Sequence, residues 1–229
     1  MKTIGMIAGM TWESSLLYYR LVNQETKRRL GGHHNARSVM ATVDFAEVER
    51  MSRTGDWNAL GRLMADTARQ VERAGADFII LCANTPHKVA ESIESATGIP
   101  LLHIADATAN AILNAQEKRV GLLGTKFTME QTFVRERLER RGIEVLIPDE
   151  PSRAIVHSVI YEELAHGIVR PESREQFQKI IGVLAGRGAE SVVLGCTEFG
   201  LLIQASDSPI PLHDTTAVHA IAAVDWALR

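Results

Sequence analysis

Residues 188–198 read Gly-Ala-Glu-Ser-Val-Val-Leu-Gly-Cys-Thr-Glu, and residues 75–85 read Gly-Ala-Asp-Phe-Ile-Ile-Leu-Cys-Ala-Asn-Thr. Each stretch combines a turn-forming Gly-Ala pair, an acidic residue, an apolar run typical of a buried strand, and a polar end. The two align without a gap, which pairs Asn84 with Thr197 and Ala83 with Cys196. The chain therefore contains two copies of one strand-and-loop unit.

The rest of the chain repeats around these copies. Residues 119–124 echo residues 3–8, and residues 210–212 echo residues 99–101. Apolar strand patterns alternate with helical ones, which predicts parallel sheets covered by helices on both faces. We predict an α/β fold of two pseudo-symmetric lobes, residues 1–105 and 106–214, with the C-terminal helix of residues 215–229 packing on the first. The predicted strands are 3–7, 37–43, 77–81, 98–103, 119–124, 144–147, 192–195 and 210–213; the predicted helices are 12–30, 56–74, 84–97, 106–116, 128–141, 152–166, 171–187 and 215–228.

Composition excludes several classes of protein. The 229 residues are 45% hydrophobic and carry a net charge of −3 with both signs mixed, which indicates neither a nucleic-acid surface nor a polybasic membrane surface. Two cysteines without metal-ligand spacing favour free thiols, a cytoplasmic location and no metal. No apolar run has the length of about 18 residues that a membrane span needs. Dinucleotide, Walker, serine-hydrolase and zinc-protease motifs are absent.

The chemistry is expected at the ends of the strands. In parallel sheets ligands bind beyond the carboxyl ends of the strands, which points to four loops. We predict that they meet in a cleft between the two lobes, with approximate two-fold symmetry. The loops are Gly9-Met10-Thr11, Ala83-Asn84-Thr85, Thr125 to Thr128, and Cys196-Thr197-Glu198.

Cys196 is the most reactive group in these loops. It follows a buried strand and precedes a predicted helix, whose N-terminus would lower the thiol pKa below its ordinary value of about 8.5. Asn84 and Thr197 add polar side chains, and backbone N–H groups at helix starts can hold a carboxylate. An α-carbon whose carboxylate is held between two similar lobes is accessible from both lobes. This suits removal of a proton from one face and its return from the other.

The whole chain resembles the aspartate/glutamate racemase family, whose members need no pyridoxal phosphate and use two cysteines. The resemblance rests on Ala8-Gly9-Met10, Asn84-Thr85-Pro86-His87, Gly124-Thr125 with Thr128, and Gly195-Cys196-Thr197-Glu198. Through Trp12-Glu13-Ser14 it is similar to the branch of broad-specificity and L-aspartate/glutamate-specific racemases. The resemblance implies a homodimeric, cofactor-independent amino-acid racemase, with aspartate or glutamate as the expected substrate. It implies Cys196 as the catalytic thiol, and a substrate site formed by Met10, Thr11, Ala83, Asn84, Thr85, Thr125, Thr128, Thr197 and Glu198.

The chain departs from the family at two places. Family members carry a cysteine directly before the Asn-Thr of the first lobe, where this chain has Ala83; Cys82 is one position early and is predicted to face the other side of the strand. Acidic-substrate members also carry a basic residue in the second-lobe Ile-Tyr-x-Glu segment, where only His166 is near, although Arg50 or Arg53 could supply the charge.

Several interpretations of the missing first-lobe thiol stay open. The enzyme could work from one side, with Cys196 serving one enantiomer and a water or hydroxyl the other. It could be a one-cysteine lyase or decarboxylase of the same superfamily. The loop could bend so that Cys82 acts as a second acid/base. The chain could also be a binding protein without catalysis.

Overall fold

The computed structural model describes all 229 residues, Met1–Arg229, and contains two compact units. The first comprises Met1–Ile104 with His219–Arg229, and the second comprises Ala105–Val218. None of the helices has both the length and the apolar character that crossing a membrane requires. The elements in chain order are β1 Ile4–Ala8, α1 Trp12–Leu30, β2 Ser38–Thr42, α2 Phe45–Thr54, α3 Trp57–Arg73, β3 Phe78–Leu81, α4 Ala90–Glu94, β4 Leu101–Leu102, α5 Ile104–Asn114, β5 Arg119–Gly124, α6 Lys126–Glu130, α7 Thr132–Glu139, β6 Glu144–Leu146, α8 Glu150–Glu162, α9 Pro171–Gly186, β7 Ser191–Gly195, α10 Phe199–Leu202, β8 Leu212–Asp214 and α11 Thr215–Ala227, with short 3₁₀ helices at Thr85–Val89, Leu164–His166 and Ala205–Asp207.

The first unit is built on a parallel sheet of strand order β2-β1-β3-β4. Its central strands β1 and β3 are buried at every position, because their apolar side chains alternate between two covered faces. One face packs Ile4 and Met6 against Tyr18 of α1 and Val224 of α11. The other face packs against α3 and the helical segment that follows β3. The sheet therefore has a separate apolar core on each side.

The second unit repeats this arrangement with the strand order β6-β5-β7-β8, also fully parallel. In both units the strand that begins the unit lies between its second and third strands, so the predicted internal repeat is present in the topology. Gly124 at the end of β5 is in register with Gly195 at the end of β7. The predicted α/β fold with two parallel sheets covered by helices is confirmed.

Proline accounts for two differences from the predicted elements. The helix predicted over 84–97 is a 3₁₀ helix with Pro86 in its first turn, followed by the short α4. The strand predicted over 98–103 pairs only at Leu101–Leu102, and the one over 210–213 is Leu212–Asp214. Pro100 and Pro211 precede these strands and have no N–H to donate, although their carbonyls accept from Ile79 and Val192.

Two helical regions also differ from the prediction. Helix α2 was not predicted, although Asp44 caps its start and Gly55 ends it in the left-handed conformation. The helix predicted over 128–141 is divided into α6 and α7 by Gln131, whose backbone is extended. The helix predicted over 152–166 ends as α8 at Glu162 and continues as a 3₁₀ turn.

Candidate active site

A pair of glycines shapes the strand ends of the second unit. A Cβ on Gly195 would lie 2.8 Å from the Leu123 carbonyl oxygen and 3.2 Å from Cγ2 of Thr128. A Cβ on Gly124 would lie 2.9 Å from Cβ of Thr128. Both glycines are therefore needed for Thr128 to lie over the ends of β5 and β7. This contact places Thr128 next to the backbone that leads into Cys196.

Thr128 is fixed by Thr125, which begins the same short helix. The backbone N–H of Thr128 donates to Oγ1 of Thr125 at 3.2 Å, and the two hydroxyl oxygens are also 3.2 Å apart. Both side chains are buried. The second unit therefore brings together two of the predicted binding hydroxyls and orients them through one helix cap.

The segment after β7 holds a thiol, a hydroxyl and a carboxylate in contact. The thiol of Cys196 donates to Oε2 of Glu198 at 3.0 Å, and the hydroxyl of Thr197 donates to the same oxygen at 2.7 Å. Cys196 is only 8% exposed, and Glu198 is also buried. Glu198 makes no side-chain capping bond to α10, and its carboxylate accepts from the neighbouring thiol and hydroxyl.

The electrostatics of Cys196 oppose the prediction of a readily ionised thiol. Burial raises the pKa of Cys196 well above its ordinary value, and the charge and hydrogen bond of Glu198 and the charge of Asp214 raise it further. The predicted lowering by a helix N-terminus is wrong, because α10 has four residues and begins only at Phe199. Cys196 is therefore a neutral thiol in the resting protein.

Asp214 is a second acidic group of the second unit whose charge acts on Cys196. It ends β8, the strand beside β7, and its carboxylate accepts from the backbone N–H groups of Thr216 at 2.8 Å and Ala217 at 3.4 Å. Burial raises the pKa of Asp214. The hydroxyl of Thr215 donates to the Leu194 carbonyl at 2.9 Å and so ties this segment to the strand that carries Cys196.

The loop after β1 has the same construction as the loop after β5. Ser14 N–H donates to Oγ1 of Thr11 at 3.3 Å, and their hydroxyl oxygens are 3.3 Å apart, as in the Thr125–Thr128 pair. Gly9 has a φ of 93°, and a Cβ there would lie 2.3 Å from the Val43 carbonyl oxygen, so only glycine fits. Ser14 was not among the predicted site residues, although the matching Thr-x-x-Ser and Thr-x-x-Thr patterns are a sequence signal for it.

Cys82 and Ala83 point to opposite faces of the first sheet. Ala83 packs in the core beside Leu81 and Val89, whereas Cys82 lies in the other core with Met6 and Tyr18. Cys82 is completely buried, and burial raises its pKa far above the ordinary value. The predicted orientation is confirmed. To act as a second acid/base, Cys82 would have to leave its core.

Asn84 and Thr85 follow Ala83 at the start of the 3₁₀ helix. Asn84 is buried, and its side chain makes no capping hydrogen bond to that helix. The imidazole of His87 contacts the Ala83 carbonyl at 2.7 Å, and Met10, from the β1 loop, is in the same apolar core as Ala83. The first unit therefore places Ala83 and Met10 against one core, with Asn84 adjoining.

A half-buried aromatic wall adjoins the Thr125 loop and was not predicted. The backbone N–H of Lys126 donates to Nδ1 of His157 at 3.2 Å, and the His157 ring contacts Tyr161 and Phe127 at centroid distances of 4.8 and 6.1 Å. Burial, followed by the charge of Lys126, lowers the pKa of His157.

The basic residues named from the sequence, Arg50, Arg53 and His166, are exposed. No group of three or more His, Cys, Asp or Glu residues is arranged to hold a metal ion.

The fold and these loops define a class of two-sheet α/β proteins with polar strand-end loops, and sequence comparison identifies the family within it. Residues 7–223 match the Asp/Glu/hydantoin racemase family, and the chain belongs to this family. Its homologues are racemases, and the chain is accordingly an enzyme of the isomerase class.

Three relatives illustrate the similarity. The broad-specificity amino-acid racemase RacX of Bacillus subtilis (strain 168) is 28% identical over 76% of this chain and 74% of its own. A crystal structure of a Yersinia pestis protein assigned to the Asp/Glu racemases is 48% identical, covers 100% of both chains and has a TM-score of 0.94. An aspartate racemase homologue from Pyrococcus horikoshii OT3 is 32% identical over 100% of both chains, with a TM-score of 0.85.

Proposed function

We propose that this protein is a cofactor-independent racemase of aspartate or glutamate in which Cys196 transfers the α-proton. The observation that carries the proposal is the hydrogen bond from the Cys196 thiol to Glu198, supported by Thr197 on the same carboxylate oxygen. The family membership supports racemisation as the reaction. Relatives named as aspartate and glutamate racemases support an acidic amino acid as the substrate.

In the proposed mechanism Glu198 stores the thiol proton. When Cys196 acts as a base, its proton passes to Oε2 of Glu198, and the thiolate removes the hydrogen from the α-carbon to leave a planar carbanion. In the reverse direction the thiol protonates the carbanion and then regains a proton from Glu198. Each unit by which the pKa of the thiol exceeds that of the accepting carboxyl group costs about 1.4 kcal/mol, so the substrate ammonium group must help stabilise the thiolate.

The predicted binding residues supply donors for the substrate carboxylate. In the second unit these donors are the hydroxyls of Thr125, Thr128 and Thr197, and in the loops of the first unit they are Thr11, Asn84 and Thr85. The paired hydroxyls Thr11–Ser14 and Thr125–Thr128 are each oriented by a helix cap before substrate arrives. Such preorganised donors favour a carboxylate whose charge increases as the α-carbon is deprotonated.

The proposed reaction is one-sided because Ala83 has no proton to transfer. The face of the α-carbon not served by Cys196 exchanges its proton with a water or a hydroxyl. The two enantiomers have equal free energy, so kcat/KM must be the same in both directions. The asymmetry therefore appears in exchange: one enantiomer loses its α-hydrogen to solvent faster than it is racemised.

Proton NMR in deuterated water tests this proposal with L- and D-aspartate and L- and D-glutamate. We expect α-deuteration and racemisation by the natural sequence, and loss of both in Cys196→Ala. Cys82→Ala is the matched control, since it removes the other buried thiol, and it should retain both activities. If Cys196→Ala racemises as well as Cys82→Ala, the thiol mechanism is wrong.

A one-cysteine decarboxylase is the second candidate, because the raised pKa keeps Cys196 as a neutral acid that can protonate a carbanion. Such an enzyme would release carbon dioxide from a malonate-type acid, protonate the resulting carbanion with the thiol, and recover the proton from solvent. Carbon dioxide release without amino-acid exchange would favour this candidate. Stabilisation by an amino acid with neither reaction would instead indicate a binding protein.

We further propose a cytoplasmic homodimer with no cofactor. Both cysteines are free, which suits a reducing compartment. On α1, Trp12 (68% exposed), Leu16 (58%) and Tyr19 (48%) lie on one helix face, which fits a contact with a second copy. Sedimentation of the natural sequence and of Leu16→Glu tests this: a dimer that the substitution dissociates supports it, and a monomeric natural sequence contradicts it.

A further inference from the structure

Three buried histidines in the first unit take no part in the proposed mechanism. His87 lies in the 3₁₀ helix after β3, His103 follows β4, and His219 lies in α11; all three are at most 2% exposed. The ring of His87 lies 4.4 Å from that of His103 and 5.9 Å from that of His219, measured between centroids. We refer to these three residues as the histidine cluster.

The partners of His87 determine which ring nitrogen carries its proton. The backbone N–H of Ile104 donates to Nε2 at 3.2 Å, so Nε2 must be an acceptor. Nδ1 therefore carries the proton and donates it to the Ala83 carbonyl at 2.7 Å. A doubly protonated ring could not accept from Ile104, and the other neutral tautomer would satisfy neither contact. The surroundings select one state, the neutral Nδ1–H form.

The hydrogen-bond partners of His219 also fix its tautomer, with the donor and acceptor roles of the two ring nitrogens exchanged. Its Nε2 faces the Leu102 carbonyl at 2.8 Å and must donate, and its Nδ1 accepts from the Tyr18 hydroxyl at 2.9 Å. Leu102 and Ile104 flank His103 at the place where the chain leaves the first unit. Both ends of this short segment are therefore fixed by imidazoles. These committed nitrogens do not form a metal site.

We propose that His87 is a positioning residue that holds the Ala83-Asn84-Thr85 loop in its substrate-binding form through the Nδ1–H donated to the Ala83 carbonyl. The inference rests on the proposed function of that loop. Ala83 is followed directly by Asn84 and Thr85, so rotation of the Ala83 carbonyl would turn the next peptide and both side chains. The Ile104 N–H selects the His87 tautomer that donates to the Ala83 carbonyl. The His87 ring therefore connects the conformation of the loop to the segment at which the chain leaves the first unit.

Two substitutions of His87 test the hydrogen bonds of its two ring nitrogens separately. In His87→Asn the amide NH₂ can occupy the place of Nδ1 and keep the donor to Ala83, while the acceptor for Ile104 is lost. In His87→Gln the amide oxygen can occupy the place of Nε2 and keep the acceptor for Ile104, while the donor to Ala83 is lost. Tyr18→Phe is the matched control: it also removes one buried hydrogen bond from the cluster, the one to His219, but leaves Ala83 untouched.

The experiment compares KM and kcat for racemisation with the melting temperature and the ring ¹⁵N chemical shifts of the natural sequence. We expect His87→Gln to raise KM and lower kcat/KM by about tenfold or more, since small misplacement of binding groups has effects of this size. His87→Asn should change KM much less, and Tyr18→Phe should lower the melting temperature with KM unchanged. The ¹⁵N shifts should show His87 protonated at Nδ1.

The outcomes are distinct. A purely structural role would lower the melting temperature and the apparent kcat of His87→Gln without changing KM, and this result overturns the inference. An Nε2–H ring in the natural sequence also overturns it, and this measurement stands even if a substituted protein does not fold. If the wild-type protein racemises no amino acid while its His87 ring is observed in the Nδ1–H form, the proposed function fails and the tautomer assignment remains.

Discussion

Sγ of Cys196 lies 3.0 Å from Oε2 of Glu198, the oxygen that also accepts the hydroxyl of Thr197 at 2.7 Å. One carboxylate oxygen thus receives both protons available at the end of β7. The arrangement favours the neutral thiol at rest, and in the proposed mechanism the same oxygen accepts the thiol proton. It predicts opposite effects of one substitution on thiol ionisation and on racemisation.

Glu198→Gln should lower the pKa of Cys196, because both the charge and the accepting oxygen that raise it are altered. Alkylation by iodoacetamide should therefore be faster at neutral pH. Racemisation should nevertheless decrease by about 10²-fold or more, since general acid–base partners contribute on this scale. Glu162→Gln, on the exposed side of α8, is the control and should change neither rate. Slower alkylation of Glu198→Gln would contradict the role of Glu198.

Gly195→Ala should destabilise the protein, because the new Cβ would lie 2.8 Å from the Leu123 carbonyl oxygen and against Thr128. Overpacking of this kind costs about 1–3 kcal/mol in the free energy of unfolding. Gly182→Ala is the matched control: no heavy atom lies within 4 Å of its Cβ position, and it lies inside α9. There alanine should stabilise by about 0.5–1 kcal/mol. Urea denaturation measures both, and equal effects would refute the packing argument.

Ala83→Cys should make the reaction more symmetric. It places a thiol at the position that the internal repeat pairs with Cys196, next to Asn84. We expect faster racemisation and a smaller excess of α-hydrogen exchange over racemisation for the enantiomer that shows it. Ala83→Ser provides a hydroxyl of similar size as the control. Unchanged exchange ratios for both enantiomers would argue against a catalytic role for position 83.

Acid should weaken the first unit through His219. Burial lowers the pKa of His219 from 6.5 to about 4, so the unfolded chain binds a proton that the folded protein does not between these values. The stabilisation is complete above pH 6.5 and is lost as the pH falls toward 4, by about 3 kcal/mol in total. Urea denaturation at pH 6.5 and 4.5 should show this loss. His219→Gln should reduce the difference, and an identical pH dependence would exclude His219 as its source.

The structural features that depend on the local pattern of residues were predicted from the sequence alone. The buried central strands, the internal repeat and the opposed faces of Cys82 and Ala83 follow from alternation and spacing. The ionisation of Cys196 did not follow, because its pKa depends first on burial, then on the contact with Glu198, and also on Asp214, which comes from a neighbouring strand. His157 was missed for a similar reason, because its importance comes from a contact with Lys126 rather than from a motif of its own. Ser14 differs, since the Thr-x-x-Ser pattern that begins at Thr11 was a sequence signal for it.

The first unit is formed by two separate stretches of the chain, and this affects how it can fold during synthesis. β1 precedes the whole second unit in the chain, yet one face of it is covered by residues of α11, including Ala220 and Val224, and the Lys2 N–H donates to the Ala227 carbonyl at 2.8 Å. The ribosome produces the whole second unit before these residues exist. One face of the first sheet therefore stays partly uncovered during translation until α11 has been synthesised, after the second unit.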